Sequence, residues 1–432
     1  MNILTLVVLL LIEGMFFTWS ILTKQTHLKE KGIVNLSILF LFGILVYSGV
    51  FVWSFRYIML LLLLIAQSAY SICVLSKRRN REYSIGKNIV CLVSKISLIF
   101  LSLLPLFLFP RYQELPLSGT YDVDTAKYTW IDNSRKDPFS GSEDKRALTV
   151  EFWYPADSKE KYPLVVFSHG AFGFSGSNYS TFAELASNGY IVASIGHTHH
   201  AFYTIDTSGK LTTVDQSFLK KATEINAVID SQDEEDIFNT TKEWMKLRTE
   251  DMNFVLDTIL LECENEVTDR FFGNIDPDKI GVIGHSLGGA AAAQIGRERS
   301  DIDAAIVLDG TMLGEEIGFE NGKVVLNPEP YPIPLLNLYA EDHYTLSKEL
   351  VGDDYDNHYA SNRAICSYDI VFRGAGHLNF TDLPLFSPIL ANTLGIGAVD
   401  PRYCIENTNR IVLTFFDGYL KYNCAPDLKG EY

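Results

Sequence analysis

Two unlike hydrophobic patterns divide the chain. Four nearly unbroken apolar stretches, over residues 3–23, 33–53, 57–76 and 89–110, occupy its first quarter. Each is long enough for a bilayer-crossing helix, which takes about 20 residues. Only Glu13 and Lys95 bring charge into them. Beyond residue 111 the apolar runs shorten. Leu148, Val150, Phe152 and Tyr154 alternate with Thr149, Glu151 and Trp153, which predicts a half-buried strand. Tyr162-Pro163-Leu164-Val165-Val166-Phe167 is continuously apolar and suits a strand covered on both faces. A helix over 179–188 stops at Gly189, and a strand at 190–195 follows. Further strands at 280–283, 302–308, 335–339 and 368–372 alternate with helices after residue 287 and at 385–394 and 411–420. The predicted fold class is therefore α/β, a mostly parallel sheet with helices on both faces, preceded by an all-α transmembrane region of about four helices.

Three segments follow from this pattern: a transmembrane region over 1–111, a linker with an irregular lead-in over 112–145, and an α/β domain over 146–432. The lead-in is rich in Gly, Ser, Asp and Tyr. Strand–helix alternation lapses at about 200–266. There Asp230-Ser231-Gln232-Asp233-Glu234-Glu235-Asp236 forms an acidic patch, and Thr240-Thr241-Lys242-Glu243 has capping-box spacing. Met252, Val255, Leu256 and Ile259 then make an apolar helix face. The stretch reads as an insertion over the active site with a helix packed on the sheet, or as a plain surface excursion.

Charge separates the same parts. Of 36 Lys/Arg and 53 Asp/Glu in the chain, residues 1–111 hold 11 and 3, which leaves 25 and 50 for the remainder. So acidic a second part offers no basic stripe for nucleic acid. Lys24, Lys29 and Lys31 follow the first stretch, Arg56 alone follows the second, and Lys77, Arg78, Arg79, Arg81 and Lys87 follow the third. The positive-inside rule puts the first and third loops in the cytoplasm, so the N-terminus and everything after Pro110 fall on the extracytoplasmic side. The first stretch lacks a basic n-region, so a cleaved signal peptide is not expected. Cys73 and Cys91 lie in predicted spans. Cys263, Cys366, Cys404 and Cys424 could pair in an oxidising space or stay free thiols.

Candidate chemistry centres on Gly284-His285-Ser286-Leu287-Gly288-Gly289. After the apolar run Ile280-Gly281-Val282-Ile283 and before Ala290-Ala291-Ala292-Ala293, it reads as strand, sharp turn, helix: a G-x-S-x-G nucleophile elbow with Ser286 at the apex. A serine needs a base and a group to orient that base. His377, in Gly374-Ala375-Gly376-His377-Leu378-Asn379-Phe380 after the last strand, is the candidate base; His343 and His358 sit in polar loop sequence. Two acids compete. Asp309 ends an apolar strand before Gly310, and Asp342 ends the next strand; the lone carboxylate at Asp309 is the sharper signal. Backbone donors for a developing oxyanion would be the N–H of Leu287 and, from the loop Ser168-His169-Gly170-Ala171-Phe172-Gly173, the N–H of Ala171. His169 reads as a loop brace. His197-Thr198-His199-His200 lacks metal-ligand spacing and reads as a polar loop at the pocket rim, so neither a metal nor an organic cofactor is expected.

Together these motifs resemble the plasma-type platelet-activating-factor acetylhydrolases, calcium-independent phospholipases and esterases of the α/β-hydrolase fold. The likeness lies in Phe167-Ser168-His169-Gly170, Glu184-Leu185-Ala186-Ser187-Asn188-Gly189-Tyr190, the elbow, Val307-Leu308-Asp309, and Gly376-His377-Leu378-Asn379-Phe380-Thr381-Asp382. It implies Ser286 as nucleophile, Asp309 as acid, His377 as base, and Ala171 and Leu287 as oxyanion donors. The chain departs from that family where four spans replace a secretion signal. The elbow and the Leu-Ala-Ser-Asn-Gly stretch also resemble bacterial polyester hydrolases and dienelactone-hydrolase relatives.

The expectation is a multi-pass membrane-anchored serine esterase acting on carboxylic esters, among them short or oxidised acyl chains of phospholipids. A carboxylesterase without lipid preference is the alternative within enzymes. A membrane sensor or transporter carrying a non-catalytic hydrolase-like domain is the alternative from another class.

Overall fold

The computed structural model describes residues 2–76, 83–141, 143–156, 160–226, 233–264 and 271–432. The basic cluster Lys77, Arg78, Arg79 and Arg81, and positions 230–232 of the acidic patch, lie outside the described residues. Two compact units result: Met1–Tyr112 with Phe386–Leu390, and Gln113–Leu385 with Ala391–Tyr432.

In the first unit, α1 (Asn2–Thr23), α2 (Leu28–Tyr47), α3 (Ile58–Ser76) and α4 (Ile85–Leu108) are all long and apolar enough to cross a membrane. Only 17–28% of each span is buried within the protein, so most of their apolar surface faces outward, as lipid contact would require. The second helix lies some residues earlier than its hydropathy suggests. It ends at Tyr47 because Gly49 turns the backbone left-handed (φ 76°), and its polar start, Lys29 to Lys31, still coils. Glu13 of α1 takes both Lys31 of α2 and Lys95 of α4, the latter at 3.5 Å. The charges that interrupt the first and last spans thus face each other.

The second unit is built on a sheet of eight strands: β1 (Val123–Lys136), β2 (Lys145–Pro155), β3 (Tyr162–Ser168), β4 (Ile191–Gly196), β7 (Ile275–His285), β8 (Ala304–Leu308), β11 (Leu335–Ala340) and β12 (Ser367–Phe372). Their order is β1-β2-β4-β3-β7-β8-β11-β12; β2 pairs antiparallel with both β1 and β4, and the other neighbours pair parallel. Two hairpins, β5 (Tyr203–Ile205) with β6 (Leu211–Thr213) and β9 (Glu316–Glu320) with β10 (Lys323–Leu326), stand apart from it. Because successive side chains of a strand point to opposite faces, β3 feeds both cores. Leu164 and Val166 pack with α7 (Glu234–Cys263) and α8 (Leu287–Glu298). Val165 and Phe167 pack with α5 (Tyr179–Ser187) and α13 (Pro401–Phe416). Shorter helices are α6 (Gln216–Asn226), α9 (Glu341–Leu350) and α10 (Asp356–Ser361) in this unit, and α11 (Leu383–Phe386) and α12 (Pro388–Leu394) where the chain passes between the units.

Several boundaries differ from the sequence pattern. Within the expected linker, Val123–Lys136 forms the edge strand β1, its register fixed by pairing with β2, where Tyr128 and Trp130 each meet Phe152 edge to face. Among residues 200–266, α7 buries Met245, Met252, Val255, Leu256 and Ile259 in the main core. It starts at Asp233, whose side chain accepts from Glu235 N, and not at the Thr240 capping box. The acidic residues Glu234, Glu235 and Asp236 suit the positive end of the helix dipole. The predicted helix at 385–394 divides before Pro388, since the residue preceding a proline is driven out of helical geometry. The last helix begins at Pro401, capped by Asp400, ten residues earlier than the apolar pattern suggests.

Candidate active site

Three strand ends bring the candidate residues together at the carboxyl edge of the parallel sheet, where ligands of open α/β sheets bind. β7 ends at His285, and Ser286 sits at the apex before α8 with φ 55° and ψ −126°, a conformation L-residues rarely adopt. The glycines permit this turn. A Cβ on Gly284 would lie 2.2 Å from the Gly288 backbone, and one on Gly288 would lie 2.0 Å from Ser168 O. Asp309 follows β8, also at positive φ (49°), and its backbone N–H bonds Leu338 O at 2.8 Å. His377 follows β12 through Gly374 and Gly376, in a loop pinned by Asn379 Oδ1, which accepts from Gly376 N and Gly397 N.

His377 donates Nδ1–H to Asp309 Oδ2 at 2.6 Å, and among the described residues its Nε2 has no hydrogen-bond partner. The Asp309 side chain is 1% exposed and that of His377 45%. Asp309 Oδ1 accepts from Ala340 N at 2.7 Å and from His343 Nδ1 at 2.9 Å. Burial would raise the Asp309 carboxyl, but the hydrogen bonds and charge of His343 and His377 outweigh it and hold the group below the usual carboxylate range. Burial likewise lowers His343, and the bond and charge of Asp309 turn the balance upward. Asp342 is exposed and accepts only from the neighbouring His343 N, at 2.8 Å, among the described residues.

Gly170 packs directly on the elbow: a Cβ there would meet His285 Nδ1 at 2.9 Å and Ser286 Cβ at 3.1 Å. The next N–H, that of Ala171, and the N–H of Leu287 at the start of α8 have no protein acceptor among the described residues. Both candidate donors are therefore available.

The remaining histidines depart from the sequence reading. His343 is not a loop residue but lies in the first turn of α9, and its Nε2 meets Tyr355 OH at 2.6 Å, which in turn meets Thr311 Oγ1 at 2.7 Å. His358 is buried on α10 against Ser347 Oγ. His285 donates Nε2–H to His377 O at 3.1 Å, and burial pushes its ring down to about 3. His197 and His200 do not sit at a pocket rim. They are buried with Arg146, Arg248 and Asp251 beneath the 168–170 loop. Arg146 grips Asp251 through Nε (3.1 Å) and Nη2 (2.7 Å), and Arg135 reaches the same carboxylate at 3.0 Å. His197 bridges Asp251 Oδ2 (3.0 Å) to Ser168 Oγ (2.9 Å). His169 donates Nδ1–H to Gly170 O at 2.7 Å, a local brace. Nothing in the hydropathy pattern singles out these charges; Arg248 and Asp251, three residues apart on the face that also carries Met245, Met252 and Val255, are the one available sign. All six cysteines are free thiols.

Residues 147–428 match the sequence model of the family described as platelet-activating factor acetylhydrolase, isoform II. Curated relatives include the platelet-activating factor acetylhydrolases of Canis lupus familiaris, 25% identical over 287 residues (62% of this chain, 59% of the relative), and of Bos taurus, 28% identical over 282 residues (60% and 58%). The chain thus spans a little under three-fifths of the length of these relatives. A solved ferulic acid esterase from Streptomyces cinnamoneus shares the fold, with a TM-score of 0.56 and 23% identity over 72% of this chain and 94% of that one. With the family match extending over most of its second unit, this chain belongs to the platelet-activating factor acetylhydrolase, isoform II, family.

Proposed function

We propose that the protein is a membrane-anchored serine esterase that cleaves carboxylic esters, including short or oxidised acyl chains of phospholipids, through an acyl-Ser286 intermediate. The observation that carries this reading is the 2.6 Å bond from His377 to the buried Asp309 carboxylate beside the strained Ser286. Family membership and the names of the relatives support the substrate class.

Ser286 Oγ attacks the ester carbonyl carbon while His377 Nε2 takes its proton. Asp309 fixes the Nδ1–H tautomer and stabilises the imidazolium that forms. The carbonyl oxygen becomes an anion, met by the N–H groups of Ala171 and Leu287. The C–O bond then breaks, and the leaving alcohol takes the proton from His377. Water, deprotonated by the same imidazole, attacks the acyl-serine and frees the carboxylic acid. Asp342 takes no part. Catalysis by these groups needs no metal or organic cofactor.

The four apolar helices support anchoring. A tethered domain meets bilayer lipids at raised local concentration without added affinity. The loop charges favour an extracytoplasmic face for it.

A short-chain nitrophenyl ester assayed with wild type and Ser286→Ala tests the chemistry, and undiminished turnover by the variant would sink it. Labelling intact cells with an impermeant fluorophosphonate probe tests the orientation. Turnover of phospholipid vesicles against soluble esters distinguishes a lipid esterase from a general one.

A further inference from the structure

Arg248, on α7, is fully buried, yet among the described residues it forms no ion pair. A buried guanidinium usually takes a carboxylate, since unpaired charge in the interior is costly. The nearby Asp251 is instead engaged by Arg146, Arg135 and His197. The donors of Arg248 go to the loop under the elbow. Nη1 bonds His169 O at 2.7 Å and reaches Ser168 Oγ at 3.5 Å, and Nη2 bonds Gly170 O at 3.4 Å. Its remaining contacts hold His200, at Nδ1 (3.4 Å) and O (3.5 Å).

The consequence lies in the peptide between Gly170 and Ala171. It is trans, so its carbonyl and its N–H point in opposite directions. His169 Nδ1 (2.7 Å), the Gly173 N–H (3.1 Å) and Arg248 Nη2 (3.4 Å) together draw the Gly170 carbonyl into the interior, and Arg248 alone among them brings a charge. The Ala171 N–H is thereby turned the other way, where it lacks a protein acceptor, and Gly170 abuts Ser286. Were the peptide to flip, a carbonyl oxygen would replace the N–H, and the guanidinium would lose an acceptor.

We propose that Arg248 is a positioning residue for ester hydrolysis: it locks the Gly170–Ala171 peptide with the N–H presented to the oxyanion, and its charge strengthens that donor from behind. This rests on the esterase reading with Ser286 as nucleophile. Transition-state charge is the only species that would feel the lock fully, so the effect belongs in kcat.

The test compares full-length wild type, Ser286→Ala, Arg248→Gln and Arg248→Lys, with the fold of each followed by thermal unfolding. Folded Arg248→Gln should lose about 100-fold in kcat, the scale of one oxyanion donor, with KM within about threefold. Arg248→Lys should recover part of that loss, and affinity for a boronic acid that mimics the tetrahedral adduct should fall in step with kcat. Undiminished kcat in folded Arg248→Gln overturns the proposal, as does a change confined to KM. Failure of both variants to fold overturns it too, by making Arg248 structural only. Turnover retained by Ser286→Ala would remove the esterase reading itself, a result distinct from all of these.

Discussion

His343 donates its Nδ1–H to Asp309 Oδ1 across 2.9 Å, on the oxygen that His377 leaves unused. One buried carboxylate thus serves two imidazoles, and the second is tied through Tyr355 to Thr311. Removing His343 takes a donor from Asp309 and concentrates its charge on the side facing His377. His343→Phe should therefore move the acidic limb of the kcat/KM profile to higher pH and lower kcat by about tenfold, within the range expected for a supporting hydrogen bond. An unshifted profile in a folded variant would show that the second imidazole leaves Asp309 unaffected.

The two candidate acids separate cleanly in the same assay. Asp309→Asn should reduce kcat by about 10⁴-fold, because the amide favours the wrong tautomer of its histidine. Asp342→Asn, at an exposed site that bonds only a neighbouring N–H, should stay within about twofold of wild type. Reversed outcomes would move the acid to Asp342.

Glycine substitutions should divide stability from activity. Gly288→Ala would put a methyl 2.0 Å from the backbone oxygen of Ser168, which cannot swing aside as a side chain could, and should cost about 3 kcal/mol in urea unfolding. Gly170→Ala meets side-chain atoms at 2.9 and 3.1 Å, a milder clash at Ser286 itself, so activity should fall more than stability. Equal stability losses in the two variants would contradict this.

Acid should weaken the second unit before its carboxylates are reached. His197 and His285 are pushed down to about 3 by burial, and charges from Arg248 and His377, respectively, add to it; burial holds His169 and His200 low as well. Between the ordinary 6.5 and the folded value, the unfolded chain binds protons that the folded chain refuses, so stability falls as pH falls through that window. At pH 5 His197 and His285 should each have withdrawn about 2 kcal/mol relative to pH 6.5 and above. Thermal unfolding between pH 5 and 7 measures the slope, and His285→Gln should flatten it.

Legibility in the sequence followed the range of the interaction. The elbow was readable because its requirements are local: a strand, a serine at positive φ, and glycines where side chains would collide. The positions of Asp309 and His377 beyond strand ends were readable because each follows an apolar strand. β1 was not, since Val123–Lys136 mixes charge and aromatic residues and is a strand only by virtue of its partner β2. His343 was opaque for a related reason. It lies one residue past the competing acid Asp342, and only the helical turn of α9 swings its ring onto a carboxylate 34 positions earlier. Nothing local to Arg146, Asp251 and Arg248 marks them as buried, because their burial depends on α7 covering β2 and the loop after β3.

Glu13 gives the four-helix unit a register mark. Its carboxylate meets Lys31 and Lys95 from two other helices at once. Greasy helices slide past one another at little cost, since one apolar side chain replaces another. A slip of one turn, about 5.4 Å, would strand a carboxylate and two ammonium groups among hydrocarbon side chains. A single acidic residue thereby selects one alignment of α1, α2 and α4 out of many that hydrophobicity alone would accept.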